Sequence, residues 1–363
     1  MSATNPTCEV SWFSALCDDD YEFLGVPDPL LRSSWEHCRD IVMQADSLGF
    51  DNILLPSGYA LGIDTTAFAA AIATLVKRIR LLMAVRIGES WPPQLARQIA
   101  TIDRILGGRL TINIISSDLP GETLESAPRY RRTVEAMHIL KTLLNGQPLD
   151  HDGEFWKLKL DPPAVTTVSG KCPPLYFGGS SDAGIDVAVD TVDKYLTWGE
   201  PPEQAGEKIR RVEAIAENIA EGRTLEYGIR LHVIVRETEG EAWAAAESLI
   251  SRLDDATIAK AQATLKRQDS VGQSRMMALH GGSRDKLVVS PNLWAGVGLV
   301  RTGAGTALVG TPEQVAESLA ADATLARATE VAFQVHSVDA PHAHVLRSIE
   351  LFAQQVAPAL GWR

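Results

Sequence analysis

The run Tyr227 to Val235 carries Arg230 and His232 at alternate positions. Successive side chains of a strand point to opposite faces, so these two share one face. Two cation-capable groups in an apolar interior are costly unless paired or used. They read either as a buried salt bridge with a carboxylate or as an anion site. In the second case Arg230 offers a two-pronged fork to a sulfonate, phosphate or carboxylate. A second pattern is Phe177-Gly178-Gly179-Ser180-Ser181-Asp182 at the start of a helical stretch. Glycines allow close backbone approach, and free N–H groups with Ser hydroxyls at a helix N-terminus can hold a phosphate. The plainer reading is a glycine turn with a Ser or Asp cap. It is neither a P-loop nor GxGxxG. Arg301, in the glycine-rich Gly296 to Gly305, either closes over an anion or is a solvated loop arginine. Trp198, at the end of a short β-type run, walls a pocket or simply packs. His342 and His344 lack other spaced ligands, so no metal is expected. No GxSxG elbow and no paired carboxylates are present.

Short β-type runs alternate with longer helical ones. Strands are expected at Glu9–Ser14, Asp51–Leu55, Ile79–Val85, Leu110–Ile115, Leu175–Phe177, Lys194–Thr197, Tyr227–Val235 and Glu330–His336, with a further βα step beginning at Ala307–Val309. Mostly apolar strands separated by helices argue for a parallel sheet covered by helices. About eight such units favour a closed α/β (β/α)8 TIM barrel, one domain spanning 1–363, over an open sheet. In such a barrel the chemistry sits where strands end. Asp150–Thr167 reads as a small hairpin. The stretch 254–292 is too long for an ordinary loop and reads as an insertion with a mobile lid.

The chain has 363 residues, 45% hydrophobic, and a formal net charge of -12. That supports a large core and disfavours nucleic acid or anionic membranes as partners. Cys8, Cys17, Cys38 and Cys172 match no zinc or redox spacing. No signal peptide or membrane span is evident. A soluble cytoplasmic protein is expected.

Several strings resemble the alkanesulfonate monooxygenases of the bacterial luciferase superfamily: Pro173–Asp182, Tyr195–Glu203, Tyr227–Thr238, Asp254–Gln262, Ser290–Gly310 and, more weakly, Ala96–Arg109. The resemblance implies a luciferase-like barrel with insertions. It also implies a two-component system in which a separate NAD(P)H-dependent flavin reductase supplies reduced FMN. With O2, the C–S bond of an organosulfonate is then cleaved to sulfite and an aldehyde. By position, Gly178, Gly179, Ser180 and Ser181 resemble the FMN phosphate site. Asn113 and Ser116 resemble flavin-ring contacts, and Tyr130 a tyrosine near the flavin. Trp198, Arg230, His232 and Arg301 match the family's active-site set, with His232 as proton donor or base. Ala263–Asp285, including Arg275, resembles its lid. A homodimer or homotetramer is implied by the same analogy.

Departures from the family cluster where a substrate tail would lie. The loop Ser57–Gly62 has no Cys, Cys17 stands where the family has a His, and Ala340 precedes Pro341-His342 in place of a Tyr. The reaction is therefore expected to be kept and the substrate changed to a hydroxylated sulfonate such as sulfoquinovose. Cys17, Tyr59, His336 and Asp339 would meet sugar hydroxyls. Three alternatives remain open: a broad alkanesulfonate monooxygenase, a coenzyme F420-dependent oxidoreductase, and a non-catalytic flavin- or sulfonate-binding protein.

Overall fold

The computed structural model describes residues 7–17, 22–26, 33–59, 62–117, 119–122, 124–197, 199–219, 225–266, 271–301, 305–322, 330–337 and 342–362. Eight strands close into a ring of parallel pairs. In ring order they are β1 (Thr7–Phe13), β2 (Asn52–Leu55), β3 (Arg80–Arg86), β4 (Leu110–Ile115), β7 (Leu175–Phe177), β8 (Lys194–Leu196), β9 (Glu226–Val235) and β13 (Glu330–Ser337), which returns to β1. The expected barrel is present. The antiparallel hairpin β5 (Leu149–Asp152) and β6 (Lys157–Leu160) stands apart from it, beginning one residue before the stretch read as a hairpin.

The outer helices start and stop where local chemistry requires. Helix α1 (Trp35–Ser47) is capped by Ser34, whose hydroxyl accepts from His37 N. It buries Cys38, Ile41, Val42 and Ala45, one stripe at helical spacing. Helix α2 is Thr65–Ile72. Helix α3 (Pro92–Leu106) opens on prolines and stops at Gly107, whose φ of 73° is left-handed. Helix α4 (Ser126–Leu144) carries Pro128 in its first turn, where a missing N–H costs nothing. Helices α5 (Asp182–Thr191), α6 (Pro202–Ile219), α7 (Glu239–Ile250) and α10 (Pro312–Ala320) follow their strands. Helix α11 (His342–Leu351) continues as a π turn over Phe352–Val356.

Two features differ from simple alternation. The strand β12 (Ala307–Gly310) is not in the ring. It pairs with β9 at His232–Val235, along the edge whose first part, Glu226–Gly228, is taken by β8. The segment 254–292 is largely regular: α8 (Asp255–Leu265), α9 (Val271–His280) and the short strands β10 (Val288–Ser290) and β11 (Leu293–Trp294), which extend β12 antiparallel. Ile258, Leu287, Trp294, Val297 and Leu299 form a small core of their own against α7 and β12.

At its N-terminal end the barrel is floored by a polar network. Asn52 Nδ2 donates to Glu9 Oε1 at 3.0 Å and to Thr111 Oγ1 at 3.1 Å, and Lys194 Nζ reaches both Glu9 and Glu226 at 3.0 Å. Burial on its own would raise the pKa of Glu9, but the charge of Lys194, bonds from Asn52 and Lys194, and Arg80 outweigh it and hold the carboxyl below its usual range. Above lies an apolar layer of Phe13, Leu54, Leu82, Tyr176 and Leu196. The floor is therefore sealed, and chemistry is left to the opposite mouth.

Candidate active site

The mouth is built from the carboxyl ends of the strands. On β9 the guanidinium of Arg230 lies 5.2 Å from the centroid of the Phe13 ring, on top of the apolar layer. Arg230 thus points into the barrel, as the period-two reading required. His232, two residues on, is fully buried and sits level in register with His336 of β13.

The loop after β8 and the end of the glycine-rich segment meet at this strand. Thr306 N donates to Gly199 O at 3.0 Å, and His232 N donates to Thr306 O at 3.4 Å. A Cβ on Gly199 (φ 81°) would lie 2.8 Å from the carbonyl oxygen of Arg230, so only glycine fits there. The segment that carries Arg301 therefore returns to β9 beside Arg230 and His232. Arg301 itself is half-buried, following a 3-10 turn at Gly296–Leu299. Gln262 Nε2 of α8 donates to Leu299 O at 2.6 Å, tying the insertion to that turn. Trp198 and Asp339 lie outside the described residues.

The second group gathers at β4, β7 and the helices that follow them. Asn113 sits in register between Ala84 of β3 and Tyr176 of β7. Ser116 Oγ donates to Thr133 Oγ1 at 2.7 Å, which turns it toward α4. Ser181 is the N-cap of α5, its hydroxyl accepting from Gly184 N at 3.1 Å and donating to Tyr130 at 3.1 Å. The plain cap reading therefore holds for Ser181. Ser180 is different: its side chain is 6% exposed, and its hydroxyl has no hydrogen-bond partner among the described residues. A Cβ on Gly179 would stand 2.7 Å from Gly184 Cα, so the turn lies tightly on α5. An orphaned hydroxyl in a close-packed turn at a helix N-terminus is what a bound phosphate would satisfy. These residues fit an FMN phosphate.

On the opposite wall, Cys17 and the loop after β2 touch: Ile63 N donates to Leu16 O at 3.2 Å, and Gly62 backs onto Leu16 and Cys17. Cys17 is half-buried, whereas Tyr59 is 77% exposed. A cleft of about 870 Å³ between α8 and α9 is lined by none of the expected site residues. Among the described residues no group of three or more His, Cys, Asp and Glu could hold a metal ion. No described helix is long and apolar enough to cross a membrane.

Sequence reasoning missed three residues here. Glu200, just after β8, and Lys208 of α6 form an ion pair whose side chains are 0% and 1% exposed. Lys208 Nζ lies 5.9 Å from the centroid of the Tyr195 ring, and the Tyr195 hydroxyl donates to Gly179 O at 2.5 Å. Burial pushes the pKa of Tyr195 far up, so it remains a donor to the turn. Arg86, at the mouth end of β3, is the third. Arg86 stands at the end of a predicted strand, where barrel chemistry is expected, and a search for polar residues at strand ends would have found it.

The family model for luciferase-like monooxygenases matches residues 23–330, and the chain belongs to that family. Among curated relatives, a sulfoquinovose monooxygenase of Novosphingobium aromaticivorans is 52% identical over 367 residues, covering 98% of this chain and 97% of the relative. A sulfoquinovose monooxygenase of Agrobacterium fabrum is 45% identical over 321 residues, covering 88% and 83%. A crystal structure of riboflavin lyase with modified FMN and riboflavin superposes with a TM-score of 0.76 at 19% identity, covering 97% of this chain and 91% of that one. At that identity the match speaks for the fold.

Proposed function

We propose that this protein is a two-component monooxygenase that uses reduced FMN and O2 to cleave the C–S bond of sulfoquinovose. The products would be sulfite and 6-oxo-glucose. The balance is one sulfonate, one O2 and one reduced flavin giving one aldehyde, one bisulfite, one oxidised flavin and one water. The sugar is argued from the 52% identical relative, together with the changed residues Cys17 and Tyr59 on the wall away from the phosphate turn. The observation that carries the flavin reading is the buried, unpartnered hydroxyl of Ser180.

The bound flavin would supply the redox chemistry. Gly178, Gly179, Ser180 and Ser181 would hold its phosphate, Tyr130 would buttress that turn, and Asn113 and Ser116 would border the ring. Arg230 and Arg301 would clamp the sulfonate, where a water-poor mouth makes each fixed charge count for more than in water. His232 would move a proton at the substrate carbon. Trp198 and His336 would complete the wall, and α9 with Arg275 would exclude water as a lid. A separate NAD(P)H-dependent flavin reductase would deliver the reduced flavin in the cytoplasm. A homodimer or homotetramer is the proposed assembly.

A sulfite-release assay over a panel of sulfonates, with reduced FMN in air, tests the substrate. Sulfite from sulfoquinovose and little from decanesulfonate is expected; the reverse order would reassign the protein as an alkanesulfonate monooxygenase. Turnover only with F420 would move it to the hydride-transfer class. Binding with no turnover under any supply would leave a binding protein. The phosphate site has its own test. Ser180→Ala is expected to weaken FMN binding about tenfold, the worth of one charge-assisted hydrogen bond, and to leave riboflavin binding unchanged. Equal loss for both ligands would move Ser180 out of the phosphate site.

A further inference from the structure

In the ring order, β3 and β9 are four strands apart in either direction, so they form opposite walls of the mouth. Arg230 occupies one wall and Arg86 the other. The side chain of Arg86 is 13% exposed. Its Nη2 donates to Ser57 O at 3.1 Å, its Nη1 donates to the Ser117 hydroxyl, and its Nε lies 3.3 Å from Glu89 Oε1. Ser57 opens the loop after β2 that carries Tyr59. Ser117 ends β4's exit beside Ser116. One side chain thus spans three neighbouring strand exits.

We infer that Arg86 is a positioning residue for the sulfonate's sugar end: its planar fork locks the Ser57–Tyr59 loop against the Ser116–Ser117 loop. The inference rests on the proposed sulfoquinovose reading. The geometry explains the choice of arginine. A lysine carries its three donors on one nitrogen, whereas a guanidinium spreads its donors over separate nitrogens in fixed, divergent directions, so Nη1 and Nη2 can reach the Ser117 hydroxyl and the Ser57 carbonyl while the charge faces Glu89. The carboxyl of Glu89 is partly buried, which raises its pKa, and Arg86 opposes that rise. The ion pair therefore depends on the arginine staying in place. The three partners converge from separate strands, so losing the fork frees two loops without opening the barrel wall.

The test uses Arg86→Gln, Arg86→Lys and, as a milder variant that removes one prong, Ser117→Ala. Amide hydrogen exchange on the protein alone is expected to quicken at 57–59 and 116–117 in both Arg86 variants, with the barrel strands unchanged. The KM for sulfoquinovose is expected to rise about tenfold to a hundredfold in Arg86→Gln and Arg86→Lys, and less in Ser117→Ala. The kcat should stay within about threefold, and the FMN dissociation constant should rise by less than the KM, because Ser116 shares the freed loop while the proposed phosphate site lies elsewhere. Unchanged exchange would overturn the inference, and so would faster exchange with an unchanged KM. A wild-type KM in Arg86→Lys would show that charge alone suffices. Parallel loss of FMN affinity would place Arg86 in the flavin site. Should the wild-type enzyme release no sulfite from sulfoquinovose, the substrate assignment falls while the exchange measurement still decides whether Arg86 holds the loops.

Discussion

Arg230→Ala is expected to lower kcat/KM for sulfite release by about 100- to 1,000-fold, the loss seen when a preorganised donor to a charged reacting group is removed. Three structural facts set this magnitude. The guanidinium stands on an apolar layer, 5.2 Å from the Phe13 ring, so it acts where water screens poorly. Its backbone is held on one side by Gly199, where no side chain fits, and on the other by β13, level with Gln334. It cannot drift to recover a lost contact. Arg230→Lys is expected to restore less than a tenth of the activity, because the fork proposed to grip two sulfonate oxygens is gone. The FMN dissociation constant should stay within about threefold, since the proposed phosphate turn follows β7, away from Arg230 on β9. Activity of Arg230→Ala within threefold of wild type would remove Arg230 from the site.

Breaking the Glu200–Lys208 pair is expected to have the largest effect on stability. Both side chains are sealed from solvent, and removing one partner takes from the other the opposite charge it was buried against. Lys208→Met should therefore cost about 3–5 kcal/mol, read from urea unfolding followed by tryptophan fluorescence. Burial pulls the pKa of Lys208 down, and Glu200 only partly offsets this. The pair is thus held together against a desolvation cost. Replacing both, Glu200→Leu with Lys208→Met, is expected to recover most of the loss, because neither charge of the pair is then left buried. FMN affinity supplies a second readout. Tyr195 links Lys208 to the Gly179 carbonyl, so Lys208→Met should weaken FMN binding severalfold at temperatures where the protein remains folded. A single variant as stable as wild type would show that Glu200 is satisfied by other partners.

The alternation of β-type and helical runs, and the cap at Ser181, were legible because they depend on neighbours a few residues apart. The shared face of Arg230 and His232 was legible for the same reason. The resemblance to the sulfonate monooxygenases added the roles of Tyr130, Arg301 and the Gly178–Ser181 turn, which residue types alone left open between phosphate binding and ordinary capping. Pattern alone left the place of β12 open: its apolar run looks like any barrel strand, and it stands outside the ring because β8 takes the first part of the same edge of β9.

Ring closure decided the remainder. The floor joins Glu9 to Lys194, 185 residues away, and no local pattern signals that pairing. The same closure sets β3 across from β9, which gives Arg86 its place opposite Arg230. Periodicity fixes which face a side chain takes, because that follows from the geometry of its own backbone. Which residues then face each other across the mouth follows from register between strands far apart in the chain, and that is settled only when the sheet closes on itself.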